Sequence, residues 1–185
     1  MQHNYHDEEG RRRWQNPEEL LVRIGLEEGD TFMDVGCGEG FFAIPAARIV
    51  GRKGKVFGID VNRSALDRLE ARARSSGLDN ITVLEGEGEE VVPCAGCADF
   101  VFFGIDLHDF RDPGTVIRNA GTMLIPGKGR LVDLDWKKVQ MSFGPPYKIR
   151  LSPEQAKSLI TEQGFDIMSC EDSGPWHYLI IARLP

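Results

Sequence analysis

The stretch Asp34-Val-Gly-Cys-Gly-Glu-Gly40 constrains this chain more than any other. It follows the apolar run Thr31-Phe-Met33 and precedes Phe41-Phe-Ala-Ile44. That order predicts a strand, a glycine-rich turn and a helix. Glycines at alternate positions let the backbone turn sharply and let a ligand lie against it without meeting a Cβ. The helix start offers free N–H groups. Together these predict a nucleotide-like cofactor at the edge of a parallel sheet.

The rest of the chain supplies such a sheet. Asn16-Pro17-Glu18-Glu19 has the form of a helix start, with an Asn cap and Pro at the first helical position. Strands are then expected at 31–35, 55–60, 81–85, 99–103 and 130–135. Helices fall between most of them, the ones after Asn62 and Asp112-Pro113 being clearest. The segment 99–103 is apolar without alternation, as a strand buried on both faces should be. Ser152-Pro153-Glu154-Gln155 is a capping box that opens the last helix. Strands at 165–170 and 176–183 close the chain as an antiparallel pair. The expected fold is α/β, a Rossmann-like sheet of seven mostly parallel strands with helices on both faces. Residues 1–16 read as a flexible N-terminal arm and 17–185 as a single domain. Residues 86–98 leave room only for a short turn, and 136–151 form a long loop rich in Met, Phe, Pro and Tyr.

Composition narrows the partners. A net charge of −7 argues against general nucleic-acid binding. Arg11-Arg12-Arg13 is a local basic run, expected on a solvated surface. No run approaches the roughly 18 apolar residues of a membrane span. The polar residues 1–16 lack the apolar core of a secretory signal, so a cytoplasmic location is expected. Cys37, Cys94, Cys97 and Cys170 suit reduced thiols better than a disulfide framework. Cys94-Ala-Gly-Cys97 has no second pair to complete a zinc site, and no metal is expected. The sequence leaves a homodimer open.

The glycines do not match the dinucleotide fingerprint G-x-G-x-x-G, because Phe41 stands at its third position. Two acids refine the expectation. Asp60 ends the second strand, twenty residues beyond Gly40, where a carboxylate accepts hydrogen bonds from ribose hydroxyls. Gly86-Glu87-Gly88 follows the third strand and places a second acid within reach of an adenine amino group. Two acids would repel a diphosphate. They suit a ligand without phosphate that carries a positive sulfonium.

At these residues the chain resembles the class I S-adenosylmethionine-dependent methyltransferases, over roughly residues 32–185. Asp34, Gly36, Cys37, Gly38 and Gly40 are similar to the family's first motif, which holds the methionine part of the cofactor. Phe57-Gly-Ile-Asp60 resembles the second, which implies Asp60 on the ribose and Val61 against adenine. Gly86, Glu87 and Gly88 resemble the third, where Asp is more usual, and Glu85 is a rival to Glu87. The run from Asp99 to His108 is similar to the fourth, which implies Gly104 and Ile105 beside the methionine amino group. The Leu107-His108 pair looks like the small-molecule, quinone-biosynthesis-like (type 11) branch. The resemblance implies S-adenosyl-L-methionine as cofactor and a strand order of 3-2-1-4-5-7-6. It also implies methyl transfer to a small-molecule acceptor.

A base is needed only where the acceptor must lose a proton. His108 and Asp109 are the candidates, with Asp106 and Asp135 on the same rim. His177 is expected to be a satisfied structural histidine. Gly144-Pro-Pro-Tyr147 lacks the side-chain acceptor of the amino-methylating motif, and Pro93-Cys94 precedes the strand that a cytosine-methylating nucleophile follows. Trp136, Met141, Phe143 and Tyr147, with Tyr5, His6 and Trp14 of the arm, are candidate substrate covers. Two other functions fit the same residues: a non-catalytic S-adenosylmethionine-binding module and an NAD(P)-dependent oxidoreductase.

Overall fold

The computed structural model describes residues 8–185; Tyr5 and His6 lie outside them. Four helices begin at a sequence signal. Asn16 accepts from the Glu19 N–H at the head of α2 (Pro17–Arg23), which follows the five-residue α1 (Glu8–Arg12). Asn62 caps α4 (Arg63–Ser75) and Asp112 caps α5 (Pro113–Met123) in the same way. The capping box at α6 (Pro153–Glu162) is complete, with Ser152 and Gln155 satisfying each other's backbone N–H. Such caps are worth about 1 kcal/mol each. Of α2 to α6, only α3 (Ala43–Val50) lacks a side-chain cap. It is the helix that follows the glycine turn.

The strands are β1 (Thr31–Val35), β2 (Lys55–Asp60), β3 (Ile81–Glu85), β4 (Phe100–Gly104), β5 (Arg130–Trp136), β6 (Asp166–Ser173) and β7 (His177–Arg183). They form one seven-stranded sheet in the order β3-β2-β1-β4-β5-β7-β6. β1 to β5 pair in parallel, and β7 runs antiparallel to both β5 and β6. Successive right-handed crossovers carry the chain outward from β1 to β3, then back to β4 on the other side of β1. That reversal leaves a crevice above the carboxyl ends of β1 and β4.

Two apolar layers cover the sheet. Phe32, Phe102, Leu66, Leu69 and Val132 lie in one, beneath α2, α3 and α4. Met33, Val101, Phe103, Ile117 and Ile160 lie in the other, beneath α5 and α6. Central β4 sends residues to both layers, so its continuous apolar run reflects burial on two faces. Below the sheet, Asp99 ties β1 to the β5 entry. Its Oδ2 accepts the Thr31 N–H at 2.9 Å while Oδ1 pairs with Lys128.

Several details differ from the sequence reading. β4 runs from Phe100 to Gly104, one residue later than read. β6 extends to Ser173, so only residues 174–176 join it to β7. Residues 8–16, read as arm, form α1 and a docked turn. There Trp14 stacks on His177 with ring centroids 5.1 Å apart and planes 6° apart. Arg11 is not on a solvated surface: its guanidinium lies 4.0 Å above the Phe41 ring. Cys94 and Cys97, expected as reduced thiols, are joined in a disulfide, while Cys37 and Cys170 are free.

Candidate cofactor and acceptor site

A cavity of about 390 Å³ opens above the carboxyl ends of β1, β2 and β4. Gly36, Ile59, Asp60 and Val61 form one wall; Gly86, Glu87, Gly88 and Glu89 form the second. Asp106, Asp109, Phe110 and Arg111 complete it. Its size falls within the usual range for small-ligand sites. Val61 is 64% exposed, an apolar side chain left on a cavity wall.

The glycine turn is shaped by close neighbours. Gly36 has φ +81°, and a Cβ there would sit 2.7 Å from the Asp106 carboxyl, so only glycine fits. A Cβ on Gly40 would collide with Leu69 of α4, which makes that glycine a packing residue. Gly38 donates its N–H to Asp60 Oδ2 at 2.8 Å, and Asn62 donates to Oδ1 at 2.8 Å. Asp60 therefore fixes the turn from inside. Each of its oxygens keeps a second lone pair for a ligand hydroxyl.

Of the sequence-predicted cofactor residues, Gly36, Asp60, Val61, Gly86, Glu87 and Gly88 line the cavity. Asp34, Cys37, Gly38, Gly40, Gly104 and Ile105 stand behind or beside it. Cys37 is buried, and its Sγ packs where a side chain on Gly58 would go. Burial also pushes that thiol's pKa up, reinforced by Asp34, Asp60 and Asp106, which leaves it inert. Glu87 pairs with Arg111 at 3.0 Å across the cavity mouth. Glu85 is exposed at the end of β3 and is not on the cavity wall.

Asp34 is almost wholly buried, and its Oδ2 meets no hydrogen-bond donor among the described residues. Burial pushes its pKa up to about 7; Arg11 opposes this, Asp60 reinforces it, and the Ala43 N–H works against it. Asp106 is pushed well up by burial, opposed by Arg11 and reinforced by Asp34, Asp135 and Asp60. This end of the crevice is thus a cluster of acids with positive charge brought to it from α1. It is an environment that favours a cationic ligand.

Ile105 has φ +77°, a conformation that a β-branched residue seldom adopts. Its N–H bonds the Leu134 carbonyl at 2.7 Å, which turns the chain sharply at the end of β4. Strain of this kind costs about 1–3 kcal/mol and gathers at functional sites. The turn delivers Asp106 to Gly36 and leads into a short 3-10 segment, Leu107–Asp109.

That segment carries His108. Its Nδ1 lies 2.7 Å from Asp135 Oδ1, and its own backbone N–H donates to Oδ2 at 3.2 Å. Asp135 also accepts the Trp136 N–H at 2.7 Å. Burial disfavours protonation of the imidazole, but the Asp135 hydrogen bond and charge outweigh it and shift the pKa upward. With Nδ1 holding its proton toward Asp135, Nε2 is left toward Asp109, 3.5 Å away on the cavity wall.

Beside this dyad lies an aromatic cluster. His177 lies between Trp14 and Trp136, with centroids at 5.1 and 4.2 Å. Its Nε2 has no hydrogen-bond partner among the described residues, so the expected satisfied histidine is instead a packed one. Burial, together with Arg11, Lys137 and Arg150, lowers its pKa to about 3 and keeps it neutral. Trp136 and Phe143 pack the long loop down, while Tyr147 remains 45% exposed. Arg150, which the sequence did not single out, holds that loop. It is 2% exposed and donates to the carbonyls of Val139, Phe143 and Pro145 at 2.7–2.9 Å.

Known proteins share this sequence and shape. A probable cobalt-precorrin-6B C(15)-methyltransferase (decarboxylating) of Methanosarcina acetivorans is 42% identical over 81 residues, 44% of each chain. A demethylmenaquinone methyltransferase of Geobacillus kaustophilus is 28% identical over 110 residues, 60% of this chain and 47% of that one. The chain thus spans about half the length of the curated relatives it matches. The crystal structure of a SAM-dependent methyltransferase from Aquifex aeolicus superposes with a TM-score of 0.87 at 28% identity, covering 93% of this chain and 91% of that one. The methyltransferase domain family matches residues 26–156, from the entry of β1 into α6, and so takes in the glycine turn, Asp60, Glu87 and His108. The chain belongs to the methyltransferase domain family.

Proposed function

We propose that this chain is an S-adenosyl-L-methionine-dependent methyltransferase acting on a small-molecule acceptor. The observation that carries the reading is the carboxyl-edge cavity, with Asp60 at its base and an acid cluster at one end. Asp60 would hold the ribose diol, Val61 and Phe110 the adenine faces, and Glu87 the adenine amino group. Gly36, Gly104 and Ile105 would lie along the amino-acid tail, with Asp34 and Asp106 near its ammonium. When bound, the cofactor supplies an electrophilic methyl group on a sulfonium. The protein's part is to place a nucleophile in line with it.

The buried dyad bears on the acceptor. His108, held by Asp135 with Nε2 toward Asp109, is suited to accept a proton there. That favours an acceptor that loses a proton on methylation, such as a phenol, an enol or an acidic carbon. Trp14, Trp136 and Trp176 pack against one another at the end of β5, next to that dyad in the chain. Cobalt-precorrin-6B and demethylmenaquinone, the acceptors named for the two relatives, are small molecules. The net charge of −7 supports excluding nucleic acid. No helix among the described residues is long and apolar enough to cross a membrane, and a cytoplasmic location belongs to the same reading.

The test is to incubate the protein with S-adenosylmethionine and a panel of phenolic, enolic and carbon-acid acceptors. Release of S-adenosylhomocysteine with any of them above the acceptor-free rate supports the proposal. Cofactor binding without turnover on any acceptor favours the non-catalytic binding module.

A further inference from the structure

Arg11 brings a cation to the acid cluster from outside the sheet. Its guanidinium lies 4.0 Å from the ring centroid of Phe41 and 5.2 Å from that of Phe42. Those are the two residues that follow the glycine turn and lead into α3. Arg11 Nε donates to Gln15 at 2.6 Å, and Gln15 is itself buried, so the side chain is fixed at both ends. The positive charge acts on Asp34 and Asp106 alike. The Asp106 carboxyl lies against Gly36, and Asp34 Oδ2 meets no donor among the described residues.

A ligand with an amino-acid tail presents two opposite charges to this place. Its ammonium suits Asp34 and Asp106. Its carboxylate does not: Asp34, Asp60 and Asp106 would each repel it. A carboxylate enters such a cluster only where a cation meets it, and a planar guanidinium held over two aromatic faces is well suited to do so. We propose that Arg11 binds the carboxylate of the cofactor's amino-acid tail, while Asp34 and Asp106 take its ammonium. This rests on the cofactor reading above and assigns the residue that distinguishes the intact cofactor from a truncated one. It also gives α1 a function, since docking of this short helix completes the site.

The experiment is calorimetric titration of the full chain and of Arg11→Gln with two ligands. S-adenosylhomocysteine carries the amino-acid tail; 5′-methylthioadenosine has the same nucleoside without it. The expected result is that Arg11→Gln weakens S-adenosylhomocysteine at least tenfold and leaves 5′-methylthioadenosine within twofold. Unchanged S-adenosylhomocysteine affinity overturns the assignment. Equal weakening of both ligands also overturns it, because Arg11 would then support the fold of the site. If the unaltered protein binds neither ligand, the cofactor reading itself fails, and this assignment with it.

Discussion

His108 and Asp135 form a buried pair in which the imidazole Nδ1 lies 2.7 Å from the carboxylate, with side chains 2% and 1% exposed. The same carboxylate accepts the backbone N–H groups of His108 and Trp136. It therefore joins the end of β5 to the short turn after β4.

Removing that carboxylate should be costly. Asp135→Ala leaves a buried imidazole and two N–H groups unpaired, and about 3–5 kcal/mol of stability should be lost. The sign of the pH dependence follows from the raised His108 pKa. The pair's contribution is fully present below the unfolded histidine value, near 6.5, and is lost as pH rises through the higher folded value. Urea unfolding of the protein and of Asp135→Asn at pH 6 and pH 9 should show a larger gap at pH 6. A gap that grows at pH 9 contradicts the account.

Asp34 gives the opposite side of the site its own pH signature. Its folded pKa of about 7 lies above the ordinary carboxylate value. Stability from the protonated form is fully present below pH 4 and is lost as pH rises toward 7, by about 4 kcal/mol at most. Asp34→Asn should flatten that slope in denaturant titrations between pH 4 and 8. On the proposed placement the ammonium of the amino-acid tail favours the ionised form, so S-adenosylhomocysteine affinity should rise between pH 5.5 and 8 with release of a proton. Calorimetry in two buffers of different ionisation enthalpy reads that proton directly.

Asp60 holds the glycine turn and is the proposed ribose acceptor, and its variant should show both effects. Asp60→Ala leaves the Gly38 and Asn62 N–H groups without their acceptor, at about 1 kcal/mol each. It also removes the proposed ribose acceptor. S-adenosylhomocysteine affinity should fall at least tenfold, with a measurable drop in Tm. Loss of stability with unchanged affinity would assign Asp60 to the turn alone.

Arg150 holds the 137–151 loop through three carbonyls and lies 5.6 Å from the Trp136 ring. Arg150→Met keeps the bulk and deletes the donors. It should cost about 2–4 kcal/mol and speed limited proteolysis within the loop. Arg150→Lys should recover little, because an ammonium does not reach three carbonyls in a planar fork. Equal protease resistance in Arg150→Met would show that the aromatic packing alone holds the loop.

The sheet was legible because its signals are local and repeat. Each capped helix announces itself at Asn16, Asn62, Asp112 or Ser152, and the β4 run states its burial on both faces. The cavity wall was legible through Gly36, Asp60 and Glu87, whose spacing follows strand ends. What escaped depends on contacts between distant residues. Arg11 reads as one of three surface arginines until Phe41 lies beneath it. Arg150 is a lone residue whose three acceptors are carbonyls, and carbonyls carry no sequence mark. The positive φ of Ile105 is invisible because no glycine signals it. Glu87 lines the cavity and Glu85 does not, a difference that two acids so close in sequence do not show.

The central claim is that the cavity above β1, β2 and β4 holds S-adenosylmethionine, and its product is the most direct probe. Isothermal calorimetry with S-adenosylhomocysteine should give saturable binding of one ligand per chain, with NAD giving no comparable heat. Absence of binding, or tighter binding of NAD, would contradict the account.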